Sequence, residues 1–110
     1  MPMLAITAFL RPEKVMDVQD ALHAKGFYAL SKMTVSGRGK EQGIKVGEVL
    51  YQEMTKCMLY IVVAEDEKEM VVRTIIQAGM TGDKGNPGDG KIFVSPVYES
   101  YTISTQSLDM

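Results

Sequence analysis

The sequence predicts an α+β domain of ferredoxin-like βαββαβ plan, with two helices on one face of a four-stranded antiparallel sheet. Two observations lead there. Short apolar runs bounded by glycine or proline alternate with two stretches of helical periodicity, and a long glycine-punctuated segment separates the two halves. At 110 residues the chain is read as a single domain over residues 1–110, a size at which folding buries roughly 60 to 70% of the unfolded surface.

Met3 to Leu10 is too short for a helix and reads as a strand. Pro12 suits a first helical turn, where its missing N–H costs little, and Val15, Val18, Ala21 and Leu22 recur at helical spacing until Gly26 stops the helix. Tyr28 to Ser36 alternates Met33 and Val35 with Lys32, Thr34 and Ser36, a half-buried strand. Neither period persists between Gly37 and Lys56, which reads as a functional loop. The run CMLYIVVA, Cys57 to Ala64, reads as a strand buried on both faces. Asp66 and Glu69 have the spacing of a capping box, and Val71, Val72, Ile75, Ile76 and Ala78 form the stripe of a second helix ending near Gly79. Thr81 to Gly90 is a turn-rich loop, Lys91 to Tyr98 a strand that Pro96 assigns to a sheet edge, and Tyr101 to Thr105 either a short strand or a tail. Strands this apolar need more cover than two helices give, so an oligomer is expected.

An apolar fraction of 45% and a charged fraction of 24% are those of a folded globular chain. A net charge of −2 gives no field for a polyanion, so no nucleic-acid partner is expected. Cys57, the single cysteine, lies in an apolar run and suits a reducing, cytoplasmic setting as a core residue. The opening apolar stretch is eight residues long and has no basic leader, so neither export nor a membrane anchor is expected.

The chain is not expected to be an enzyme: it offers one His, one Cys and neither an HExxH nor a CxxC motif. His23 reads as a solvated helix residue, and the acidic run Glu65–Glu69 as first-turn charge that complements the helix dipole. Gly37, Gly39 and Gly43 are spaced GxGxxxG and fail the dinucleotide fingerprint. Gly85, Gly88 and Gly90 with Lys91 offer small residues whose amides can crowd round a phosphate, plus a point charge. They equally suit a tight turn before a strand, and composition leaves both readings open.

GDGKIFV at Gly88–Val94, following Thr81-Gly82, resembles the C-terminal signature of the PII nitrogen regulatory family. The resemblance extends to Arg11-Pro12, to GRGK at Gly37–Lys40 and to Lys56 before the apolar strand. It implies a homotrimer, or a hetero-oligomer with a PII paralogue, that binds ATP or ADP between subunits and senses 2-oxoglutarate through magnesium and ATP. It also implies that a T-loop, about residues 40–55 here, touches the target, and that a phosphate loop lies at about 81–91. The T-loop is about four residues shorter than in the glutamine-synthetase-regulating branch, and Val49 stands where that branch has its modified tyrosine. The chain therefore resembles the nitrogenase-regulating branch, as the first of its paralogue pair, with a nitrogenase component or another nitrogen-metabolism protein as the implied partner.

Carried over by position, Gly88, Asp89, Gly90 and Lys91 fall on the phosphate loop, and Ser31, Gly37 and Val62 around adenine and ribose. Gly39, Lys40 and Glu41 fall at the T-loop base, with Glu41 in place of the glutamine that meets magnesium. Lys56 matches the lysine that pairs with the effector's distal carboxylate. Thr102 and Ser104 replace two triphosphate-binding arginines, and DKGNP stands where the family has about two residues, which puts Lys84 near the loop as an alternative donor. The alternative expectation is a divergent PII-like trimer that binds ADP, AMP or another small anion without sensing 2-oxoglutarate.

Overall fold

The computed structural model describes residues 2–37 and 54–109. Strand β1, Met3–Leu10, occupies the predicted span. Pro12 opens a 3-10 turn, Pro12–Lys14, that leads into α1, Val15–Ala24. Gly26, at φ 95°, ends α1: its N–H donates to the His23 carbonyl at 2.9 Å and that of Phe27 to Leu22 at 2.9 Å. This is the paired 5→2 and 6→1 closure that a left-handed residue makes possible.

Strand β2, Ser31–Gly37, starts later than the sequence suggests, because Phe27 and Leu30 pack against the core before the ladder begins opposite Tyr60. Strand β3, Met54–Ala64, starts three residues earlier than expected. Met54, Thr55 and Lys56 pair with Gly37, Ser36 and Val35 through backbone bonds, which need no apolar side chains. Of the expected T-loop, residues 40–53 therefore lie outside the described residues, while Met54 and Thr55 belong to β3.

A 3-10 turn, Glu65–Glu67, precedes α2, Lys68–Gly79. The side chain that returns to the chain entry is that of Glu67, whose Oε1 accepts from the Ala64 amide at 3.4 Å, and not Glu69 in a box with Asp66. The extra 3-10 turn shifts the start of the helix and so the residue that can reach back. Strand β4, Gly90–Val97, is an edge strand, as Pro96 requires, in a four-stranded antiparallel sheet of order β2-β3-β1-β4. Tyr101–Thr102 (β5) and Ser107–Leu108 (β6) form a separate two-stranded hairpin. The four-stranded sheet and two helices have the predicted ferredoxin-like plan.

The core lies between one sheet face and the helices. Ile6, Ala8 and Leu10 of β1 and Leu59, Ile61 and Val63 of β3 meet Val18 and Leu22 of α1 and Val71 and Ile75 of α2. Cys57 is buried at the margin of this layer as a free thiol. In α2 the stripe differs at two places: Ile76 is exposed, and Thr74 is buried with its hydroxyl donating to the Met70 carbonyl at 2.7 Å. That internal bond satisfies the hydroxyl and permits burial.

Strand β3 is not buried on both faces within one chain. Its residues alternate, and Tyr60 and Val62 remain 38% and 37% exposed because both helices cover the opposite face. Met33 and Val35 share this helix-free face by register, so the alternation in β2 directs its apolar side away from the core. Phe93 on β4, 54% exposed, lies there too and meets Phe9 edge-to-face at 6.1 Å. The result is a broad apolar surface across all four strands.

Candidate anion-binding site

The register of β1 brings three segments to one end of the sheet. Leu10 is paired with Gly90 on one side and with Cys57 on the other, and the next pair along β2 and β3 joins Val35 to Lys56. Arg11, the residue after β1, therefore enters the loop between α2 and β4. Gly90, at φ 128°, must lack a side chain, since a Cβ there would fall on the Phe9 carbonyl oxygen.

The loop is organised around the Asp89 carboxylate. Its Oδ1 accepts from Arg11 Nε at 2.9 Å and from Thr81 Oγ1 at 2.8 Å; its Oδ2 accepts from the Thr81 amide at 3.0 Å and the Asn86 amide at 2.8 Å. Asn86 Nδ2 donates to the Thr81 carbonyl at 3.0 Å and to Thr81 Oγ1 at 2.8 Å. Two cations hold neighbouring carbonyls: one Arg11 Nη donates to Pro87 at 3.0 Å, and Lys56 Nζ to Gly88 at 2.6 Å. Burial would push the Asp89 carboxyl up. Bonds from the Asn86 and Thr81 amides, the Thr81 hydroxyl and the Arg11 guanidinium outweigh it and hold the group well below the usual carboxylate range.

The sequence singled out Gly88, Asp89, Gly90, Lys91 and Lys56, and all five meet at this end of the sheet, with Gly37 closing the β2 side against Met54. Within that group the Asp89 side chain serves the frame of the loop: being anionic and occupied by four donors, it offers a phosphate nothing. Ser31 and Val62 lie elsewhere. Val62 is six residues along β3 from Lys56, about 20 Å at strand rise, and Ser31 is opposite Tyr60 near that far end. Gly39, Lys40 and Glu41 lie outside the described residues. Sequence reasoning missed the framing roles of Arg11, Thr81 and Asn86; Arg11 and Asp89 are 78 positions apart, and only the register of β1 joins them. Thr102, expected near the outer phosphates, uses its hydroxyl on the Asp109 carboxylate at 2.8 Å, within the β5–β6 hairpin. A groove of about 380 Å³ between α2 and β4, walled mainly by the apolar side chains of Val72, Ile76, Met80, Ile92 and Val94, ends at Asp89, Gly90 and Lys91.

A glycine turn of this construction, with its carbonyls drawn to internal cations and Lys91 beside it, stands at one end of the sheet of an α+β domain. Residues 3–107 match the family model described as nitrogen regulatory protein P-II, and the chain belongs to that family. Its members are regulatory signalling proteins, not enzymes. The nitrogen fixation nifHD region GlnB-like protein 1 of Methanococcus maripaludis is 49% identical over 96% of this chain and 97% of that protein. The protein of the same description from Methanobacterium ivanovii is 47% identical over the same shares. These relatives set the chain in the nitrogenase-associated branch. The crystal structure of Arabidopsis thaliana PII bound to citrate is similar at a TM-score of 0.75 and 29% identity, over 96% of this chain and 84% of that one. Among the described residues, no helix is long and apolar enough to cross a membrane.

The depressed Asp89 carboxyl sets a pH expectation. Its folded value lies below the unfolded value of about 3.9, so its contribution to stability is complete well above that pH and is lost progressively as pH falls from there through the lower folded value. An NMR titration of the Thr81 and Asn86 amides should show no midpoint near pH 4, and Asp89→Asn should destabilise the fold by about 1–3 kcal/mol. A midpoint near 4 would mean that the carboxylate is not held as described.

Proposed function

We propose that the chain is a nitrogen-status signalling protein that binds ATP or ADP at the Gly88–Lys91 turn and 2-oxoglutarate beside Lys56. It regulates nitrogenase or another nitrogen-metabolism protein through residues 40–55. One observation carries this reading: the paired residues Gly37 and Met54, which bound the intervening segment, close at the same sheet end as Lys56 and the glycine turn, and Lys56 Nζ is bonded to Gly88. A ligand at the turn thus acts on the root of the effector segment. Lys56 exchanges the Gly88 carbonyl for a carboxylate, a stronger acceptor. Among the described residues no group of three or more His, Cys, Asp or Glu gathers, so magnesium would depend on Glu41 and on the nucleotide's own phosphates.

The far position of Ser31 and Val62 fits a nucleotide site shared between copies, one supplying the phosphate turn and the next the adenine pocket. The helix-free face, with Met33, Tyr60, Val62 and Phe93, is the surface such a trimer would bury; a hetero-oligomer with a P-II paralogue would bury the same face. The alternative, a trimer that binds ADP, AMP or another small anion without sensing 2-oxoglutarate, is favoured by one feature. The only arginines are Arg11, Arg38 and Arg73, so none lies in the C-terminal segment, and Thr102 is engaged with Asp109.

Isothermal titration with ATP, with and without magnesium and 2-oxoglutarate, separates the two readings: cooperative binding supports the sensor, and nucleotide binding indifferent to 2-oxoglutarate the alternative. Lys91→Ala should weaken nucleotide binding by roughly 1.5 to 3 kcal/mol, the scale of a charge-assisted bond; unchanged affinity rejects the phosphate turn. Light scattering should give the mass of a trimer, reduced by Phe93→Asp, whereas a stable monomer at micromolar concentration removes the shared site. Replacing residues 44–51 with a Gly/Ser linker should leave assembly and nucleotide binding intact. It should abolish a target response that ligand-driven population shifts set at about 5- to 150-fold; a variant that still regulates its target places the contact elsewhere.

A further inference from the structure

The geometry points to Arg11 and Asn86 as positioning residues that hold the Gly88–Gly90 backbone in its anion-receiving shape, an inference that rests on the nucleotide reading of this turn. Neither residue needs to touch the ligand.

Arg11 uses two nitrogens at once, Nε on the Asp89 carboxylate at 2.9 Å and one Nη on the Pro87 carbonyl at 3.0 Å. Both partners belong to the turn, and the Arg11 side chain is 25% exposed. No peptide bond among the described residues is cis. In a trans peptide the C=O and N–H point in opposite directions. With the Pro87 carbonyl fixed on Arg11, the Gly88 N–H is turned away from that cation, and with the Gly88 carbonyl fixed on Lys56, the Asp89 N–H is turned back to the Asn86 carbonyl, 3.1 Å away. The directions of the Gly88 and Asp89 amides are therefore set by where the preceding carbonyl is held.

Asn86 holds the other side. Its own amide reaches Asp89, and its side-chain amide spans back to the Thr81 carbonyl and hydroxyl. It stands within Asp83–Pro87, so this segment supplies a strut and is not merely spare length. Lysine cannot replace Arg11 here, because an ammonium is a single point and cannot present two nitrogens in a fixed fork.

The test compares Arg11→Lys and Asn86→Ala with the full chain, reading ADP and adenosine affinity by titration well below each variant's melting temperature. If the residues position the turn, each variant should weaken ADP by about five- to tenfold, the worth of one or two hydrogen bonds, and leave adenosine within about twofold. Unchanged ADP affinity in both variants, or parallel losses for ADP and adenosine, overturns the inference. A wild-type chain that binds neither ADP nor adenosine overturns the proposed function instead. The brace is then judged by hydrogen exchange at the Gly88 and Gly90 amides: faster exchange in both variants upholds it, and unchanged exchange overturns it.

Discussion

Every residue of Met3–Leu10 is paired on both sides, with β3 on one and β4 on the other, and this double ladder positions the rest of the molecule. It presents Ile6, Ala8 and Leu10 to the helices as the centre of the core. It also fixes, in one register, where the chain leaves β1 and where it enters β4. Since a slip of one residue would invert every side chain across the sheet, the burial of those three residues locks that register. The meeting of Arg11 with Asp89 is a by-product of the same lock.

The parts of the fold that the sequence disclosed are those in which side-chain chemistry and backbone path coincide. Met3–Leu10 is apolar, short and followed by Arg11-Pro12, and the strand has those bounds. Gly26 signals the helix end because left-handed backbone favours glycine. Less legible were features decided by backbone pairing or by which face is covered. Met54–Lys56 join a strand because β2 offers a ladder there, not because their side chains ask for one. Alternation in β2 shows that Met33 and Val35 share a face, but it carries no information on which face the helices occupy.

The candidate site divides along the same line. Its glycines and Lys91 are recognisable because they sit together in the sequence, and Lys56 because it opens an apolar run. The groups that shape the turn are ordinary on their own: a threonine after a helix, an asparagine before a proline, an arginine before another. Their meaning lies in distances across the fold, and the carboxylate that unites them looked like a member of a ligand loop while facing inward to its own chain.

The clasp between Thr81 and Asp89 also bears on how this stretch can change over generations. Because Thr81 is bonded directly to the Asp89 carboxylate that Arg11 anchors, the two ends of the intervening segment stay together whatever the length of chain between them. Closing nine residues instead of six costs roughly 0.4 kcal/mol more by the (3/2)RT ln n dependence of a flexible loop. The chain-closure cost of an insertion of this size is thus small, and what constrains the segment is the strut that Asn86 provides and not its length.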